Sequence, residues 1–207
     1  MNALQTLAQA AGIAYSAGLN LYATVGIVGL AARLGWISAL PGSLIALTSW
    51  WVIGVALGLA MVEFLASLVP AVASLWDTVH SFIRPPAAAA LAAATAWHGN
   101  PAFVLVAALL GGGLGVTTHV TKLGLRYAVD TSPEPVSNGV MSLSELGVVS
   151  AIMIAIWHHP YITLGLALLG LVGLILLVRV LWRALKRIFS SRSLVYRGAS
   201  GGTTSDR

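Results

Sequence analysis

The chain is a series of long apolar runs separated by short polar breaks. A helix that crosses a bilayer needs about 20 apolar residues. Residues 9–32 form the first such run, broken by Tyr15, Ser16, Asn20, Tyr22 and Thr24. Residues 44–69 form the second, with Glu63 as its one charge. The loop between them, RLGWISALPGS, sets Trp36 at an interface. After Pro70 the pattern changes. Val72, Leu75, Trp76, Val79, Phe82 and Ile83 recur at helical spacing, with Ser74, Asp77, His80, Ser81 and Arg84 between them. That stretch is too short and too polar to span. It predicts an amphipathic helix lying in the interface plane, ended by Pro85 and Pro86.

Residues 86–120 leave two arrangements open. AAAALAAATAW is about half a span, HGNP makes a turn, and AFVLVAALLGGGLGVTTHV follows. The short first arm favours a re-entrant hairpin or a strongly tilted pair over two full crossings. Residues 121–139, TKLGLRYAVDTSPEPVSNG, predict a second polar loop, because two prolines oppose a regular helix. Asn138 is placed to cap the next helix, residues 139–157. HHP is a tight turn, and a last helix covers residues 161–182. The expected fold is an all-α integral membrane protein, a bundle of about 4–6 transmembrane helices with an interfacial amphipathic helix and a re-entrant hairpin. Residues 1–184 form the polytopic domain, and residues 185–207 a basic, Ser/Gly-rich tail expected to be disordered.

Composition agrees with the pattern. Of 207 residues, 58% are hydrophobic and 8% charged, against about 25% charged in soluble domains. Cysteine is absent, which removes disulfides, thiolate nucleophiles and zinc–thiolate sites. The net charge of +5 is concentrated late in the chain. Arg179, Arg183, Lys186, Arg187, Arg192, Arg197 and Arg207 lie there, against Asp206. No basic stripe with interleaved aromatics runs through the body, so nucleic acid is not an expected partner; the lipid bilayer is. The basic tail belongs on the cytoplasmic side of a cell (inner) membrane. Counting crossings back from it places both termini there.

The charges inside the apolar runs carry the candidate chemistry. An ionisable group within a span marks an ion or substrate path by default, although Glu63 could instead snorkel to the interface. Glu145 has the same standing, with Ser142 and Ser144 as partners, and the two carboxylates at similar depth could share a proton or a cation. Asp77, His80 and Arg84 follow i, i+3, i+7 spacing and so share one helical face. They suit an acid–base pair with an anion clamp, or a polar network on a solvated face. His119, Lys122 and Arg126 repeat the spacing, and Asp130 and Glu134 follow to neutralise them. The two stripes either bridge each other or converge on an anionic ligand. Asn20 either glues helices together or marks a broken helix lining a cavity.

Other motifs are weaker. GGGLG lacks the Lys-Ser/Thr of a phosphate loop and reads as close helix packing or a helix break. His158 and His159 are adjacent and do not share a helical face, so they predict no metal site. GLNLYAT and GVTTHVT, 97 residues apart, echo each other faintly, as internal repeats of transporters do. Neither G-x-S-x-G nor H-E-x-x-H occurs, IRPP lacks the Ser-Gly-His element of lipid phosphatases, and no cofactor is implied.

Four blocks, AGLNLYATVGIVGLAARLGW, VEFLASLVPAVASLWDTVHSFIRPPA, GGGLGVTTHVTKLGLRYAVDTSPEPVSN and SLSELG, resemble the bacterial membrane family known as domain of unknown function 4126. The resemblance implies a shared membrane fold and a shared polar site, and supplies no activity. The residues themselves point to a small transporter or channel for an anionic, phosphate-bearing or proton-coupled solute. Asn20, Glu63 and Glu145 would line its path. Asp77, His80, Arg84, His119, Lys122 and Arg126 would form a cytoplasmic vestibule, with Glu134 and Asn138 completing the set. A homo-oligomer would help so few helices build a pore. Two alternatives stay open: a lipid-handling protein or membrane-embedded enzyme at the cytoplasmic interface, acting on a phospholipid headgroup, and a structural, partner-binding membrane protein.

Overall fold

The computed structural model describes residues 2–37, 40–130 and 135–199. Among these the helices are α1 (Ala3–Leu19), α2 (Leu21–Arg33), α3 (Trp50–Ser67), α4 (Pro70–Thr95), α5 (Pro101–Asp130), α6 (Pro135–His158) and α7 (Pro160–Ala199), with a 3-10 segment at Leu44–Thr48. No strand occurs among the described residues. Helix α3, α5 over Pro101–Tyr127 and α6 over Val136–His158 are long and apolar enough to cross a membrane. The chain is an all-α integral membrane protein. It divides into two compact units, Met1–Leu168 and Leu169–Arg207, and the first holds the candidate residues.

The first apolar run is a broken helix. Asn20 is extended (φ −146°, ψ 101°). Its N–H donates to Ser16 O and closes α1, while its side chain accepts from the Ala23 N–H at 2.9 Å and opens α2. One residue thus satisfies two helix ends. Helix α1 runs parallel to α5, with Ala14 against Gly111 and Gly18 against Gly115. Helix α2 runs antiparallel to α3, with Gly26 against Leu57 and Gly29 against Ile53. Ile13 of α1 and Val28 of α2 meet in one apolar cluster with Met153 and Ile156. The chain therefore enters along α1, turns at Asn20 and returns along α2. At 13 residues, α2 is about 20 Å long, short of the roughly 30 Å hydrocarbon core. The re-entrant hairpin expected at residues 86–120 lies here instead.

The helix after Pro70 also corrects the sequence reading. Helix α4 is 26 residues long and continues through Pro85 and Pro86. Its two faces are those the spacing predicts, but the polar face does not look into solvent. Asp77, His80 and Arg84 are buried in the bundle, and Leu75, Val79 and Phe82 are exposed. A helix whose apolar face looks outward and whose charges look inward belongs within the bilayer rather than on its surface. The internal prolines are tolerated because, inside a membrane bundle, neighbouring groups can take up the freed carbonyls.

Helices α4 and α5 form an antiparallel pair joined by a turn over residues 96–100, so residues 86–120 supply the second half of α4 and most of α5. They pack through small residues four apart: Ala88, Ala92 and Ala96 on one, Ala107, Gly111 and Gly115 on the other. A Cβ on Gly115 would stand 2.6 Å from that of Ala88. GGGLG is thus a packing element. The polar loop of residues 121–139 is also mostly helix. Helix α5 runs to Asp130, and Pro135 opens α6 at its first turn, where a proline is favoured. Asn138 is therefore a buried helical residue rather than a cap. Glu134 lies outside the described residues.

The buried positions of α3 to α6 divide along the bundle. Glu63 and Ser67 end α3, Asp77, His80 and Arg84 begin α4, His119, Lys122 and Arg126 fall late in α5, and Asn138, Ser142 and Glu145 begin α6. Successive helices alternate in direction, so all these polar halves lie at one end. The other half of the core is largely small and apolar, with Ala10, Ala14 and Ala17 of α1 packed on Ala88, Ala92 and Ala107.

Candidate functional site

Three carboxylates and three cations from α3, α4, α5 and α6 meet in the buried polar half. Arg84 Nη2 donates to Glu63 Oε1 at 2.5 Å, and its Nη1 stands 3.6 Å from Asp77 Oδ1. Lys122 Nζ lies 2.9 Å from Glu63 Oε1, 2.7 Å from Glu145 Oε2 and 4.0 Å from Asp77 Oδ1. It also donates to the Leu19 carbonyl, freed at the end of α1, at 3.1 Å. The helix break therefore supplies a fourth oxygen to the ammonium. Arg126 Nε stands 2.9 Å from Asp77 Oδ2 without aiming its N–H there, and its Nη2 is 4.0 Å from Glu145 Oε1. Arg84 and Lys122 are essentially inaccessible, at 0% and 1%. Each buried charge of this set has an opposite neighbour, as a low-dielectric interior requires.

Two histidines edge the cluster, and their partners fix their tautomers. Arginine can only donate, so His119 Nδ1, 3.1 Å from Arg84 Nη1, is the acceptor. His119 Nε2 then carries the proton and donates to Ser81 Oγ at 2.9 Å, which itself donates to the Asp77 carbonyl. A carbonyl can only accept, so His80 Nδ1 donates to Trp76 O at 2.7 Å. In the neutral ring Nε2 then accepts from the Tyr22 hydroxyl at 3.0 Å. Trp76 stacks on His80 with ring centroids 4.5 Å apart, and Tyr22 meets its edge at 5.4 Å. Tyr22, Trp76 and Ser81 were not among the expected site residues. Their sequence signal is position: Ser81 is one turn after Asp77, Trp76 one turn before His80, and Tyr22 just past the break.

The two stripes thus bridge each other, with help from two further helices. Glu63 and Glu145 share a cation, the ammonium of Lys122. The charges of α5 are balanced by Glu63, Asp77 and Glu145; of the expected neutralisers, Glu134 and the side chain of Asp130 lie outside the described residues. Ser142 donates to Ser67 at 2.6 Å rather than to Glu145, and Ser144 bonds its own helix backbone at an exposed position. Asn20 lines a small cavity with Glu63, Arg126, Ser142 and Glu145. Asn138, one turn before Ser142, is 1% exposed, and both its amide atoms lack a hydrogen-bond partner among the described residues.

The family described as Domain of unknown function (DUF4126) matches residues 7–182. The chain belongs to that family. No curated protein and no solved structure matches it. The DUF4126 region takes in both helices of the N-terminal hairpin and every member of the charged cluster. It ends within α7, before the last of the basic residues.

Proposed function

We propose that this protein is a proton-coupled carrier of a small anionic solute, and that the buried cluster is its coupling site. The single observation behind this reading is the cluster's balance: Glu63, Asp77 and Glu145 against Arg84, Lys122 and Arg126, all buried. A lone anion added to a neutral set would bring an uncompensated charge into low dielectric, at a cost of several kcal/mol or more. An anion arriving with one proton keeps the set neutral. The proton goes to a carboxylate, and the cation that carboxylate held turns to the anion. Glu145 suits the first role, because its Oε1 has no hydrogen-bond partner among the described residues and the residue lines a cavity. Arg84 suits the second, because a guanidinium can bind phosphate or carboxylate with two parallel bonds. Every member of the cluster comes from one chain, so this reading needs no oligomer.

Charge also supports an orientation. Arg84, Lys122 and Arg126 are consumed in ion pairs and no longer count as flanking charges. The basic residues from Arg179 onward remain, and they favour a cytoplasmic C-terminus. With the α1–α2 hairpin returning to its own side, α3 to α7 make five crossings and the N-terminus falls outside. The expectation of two cytoplasmic termini counted residues 9–32 as a full crossing.

The test is flux in liposomes. Purified protein should acidify the lumen when inorganic phosphate or a small carboxylate is supplied outside. Glu63→Gln and Arg84→Gln should each abolish that uptake while the protein still elutes as one species. Full flux in both variants would sink the proposal.

A further inference from the structure

The surroundings of the cluster are not equally polar on all sides. The buried stripe of α6 is polar at Asn138, Ser142 and Glu145, and apolar at Val149, Met153 and Ile156. Facing it, α3 buries Ile53 and Ala56, then Glu63 and Ser67. The two polar stretches meet where Ser142 Oγ donates to Ser67 Oγ, which donates to the Phe64 carbonyl, each at 2.6 Å. Beside them lies a cavity of about 10 Å³ lined by Asn20, Glu63, Phe64, Arg126, Ser142 and Glu145. Among the atoms of those residues, Glu63 Oε2, Glu145 Oε1 and Arg126 Nη1 lack hydrogen-bond partners among the described residues. That volume holds about one water molecule, and a buried water typically makes about three hydrogen bonds. One water there would accept from the guanidinium and donate to both carboxylates. Further toward the start of α6, Asn138 offers two donors and an acceptor with no hydrogen-bond partner among the described residues. At the opposite end the core of α1, α4 and α5 is mostly alanine and glycine, with Gln9 and Thr95 as buried polar residues among it.

We propose that water reaches the cluster along the polar α3–α6 seam from the end where α3 finishes and α6 begins, and that a water in the small cavity links Glu63 to Glu145. Asn138 and the Ser67–Ser142 pair line the path, and the alanine-packed half of the bundle seals the other side. The path deepens the carrier reading by giving the coupling proton its route. Its test needs no transport activity, so the two fail separately.

The chain has no cysteine, so each introduced thiol reports alone. Asn138→Cys and Ser142→Cys are compared with the exposed control Val136→Cys and the sealed-end control Ala92→Cys. A charged, membrane-impermeant methanethiosulfonate is applied to right-side-out and to inside-out vesicles. Asn138→Cys and Ser142→Cys should react from one side only, the side that labels Val136→Cys, while Ala92→Cys stays unreacted from both. Failure of Ser142→Cys to react from either side, or reaction of Ser142→Cys or Ala92→Cys from the opposite side, overturns the path. Hydroxyl-radical footprinting of the unmodified protein keeps the idea falsifiable if a variant misfolds. Phe64 and Leu146, on the cavity wall, should be oxidised, and the buried Leu114 and Ile13 should not. Protection of Phe64 and Leu146 to the same extent as Leu114 overturns the path equally.

Discussion

Lys122 carries the densest set of contacts in the cluster, with Glu63, Glu145 and the Leu19 carbonyl around one ammonium. Lys122→Met removes that centre while keeping a side chain of similar length. It leaves two buried carboxylates short of a cation, and removing one partner of a buried pair costs about 3–5 kcal/mol. A second change, Glu145→Gln, restores the balance of charge. Thermal unfolding in detergent should therefore show Lys122→Met strongly destabilised and the double variant less so, with a coupling of roughly 0.5–3 kcal/mol. A double variant as unstable as the sum of its singles would mean that Lys122 and Glu145 act independently. At this scale the sequence was legible in part. The spacing of Asp77, His80 and Arg84, and of His119, Lys122 and Arg126, identifies two faces correctly. Nothing in one sequence says which acids those faces meet. Glu63, Asp77 and Glu145 stand far from the α5 cations in the chain and meet them only in the folded bundle.

The glycines of α5 separate packing from composition. Gly111 lies against Ala92 and the Ala88 carbonyl, while Gly113, two residues on, has open space where a side chain would go. Gly111→Leu should prevent α4 and α5 from closing and remove the folded species in gel filtration. Gly113→Ala should be neutral or stabilise by about 1 kcal/mol, because alanine is the better helix former. Equal tolerance of both would contradict the close approach of the two helices. The same elements show why some boundaries were hidden. A double proline after a polar stretch reads as a stop, because in water the lost hydrogen bonds would end the helix. In a bundle α4 continues, because its charged face finds partners on α3 and α5 and its exposed face suits lipid. Conversely, the apolar run at residues 9–32 is long enough to span, and only Asn20 betrays the turn.

At the scale of the molecule, the membrane class was plain from composition, and the packing of the helices was not. The direction of α2 decides how many times the chain crosses. It depends on long-range contacts, Val28 with Ile156 and Gly26 with Leu57, that no local pattern encodes. The orientation proposed above follows from it. Reporters fused to the two termini should therefore score on opposite sides of the membrane, with the C-terminal one cytoplasmic. Reporters on the same side would mean that residues 9–32 cross completely.

Helix α4 also bears on how the protein is made. Arginine and aspartate each cost about 2.5–3.5 kcal/mol at the centre of a helix entering lipid alone, and α4 carries both, with a histidine between them. When α4 emerges from the ribosome, Glu63 is already synthesised and can meet Arg84. Asp77 has its closest cationic partner in Arg126, which has not yet been translated. Helix α4, with only Arg84 of its own at 3.6 Å from Asp77, is therefore expected to enter the bilayer together with α5. The ion pairs that hold the mature cluster together then also set the order of its biosynthesis.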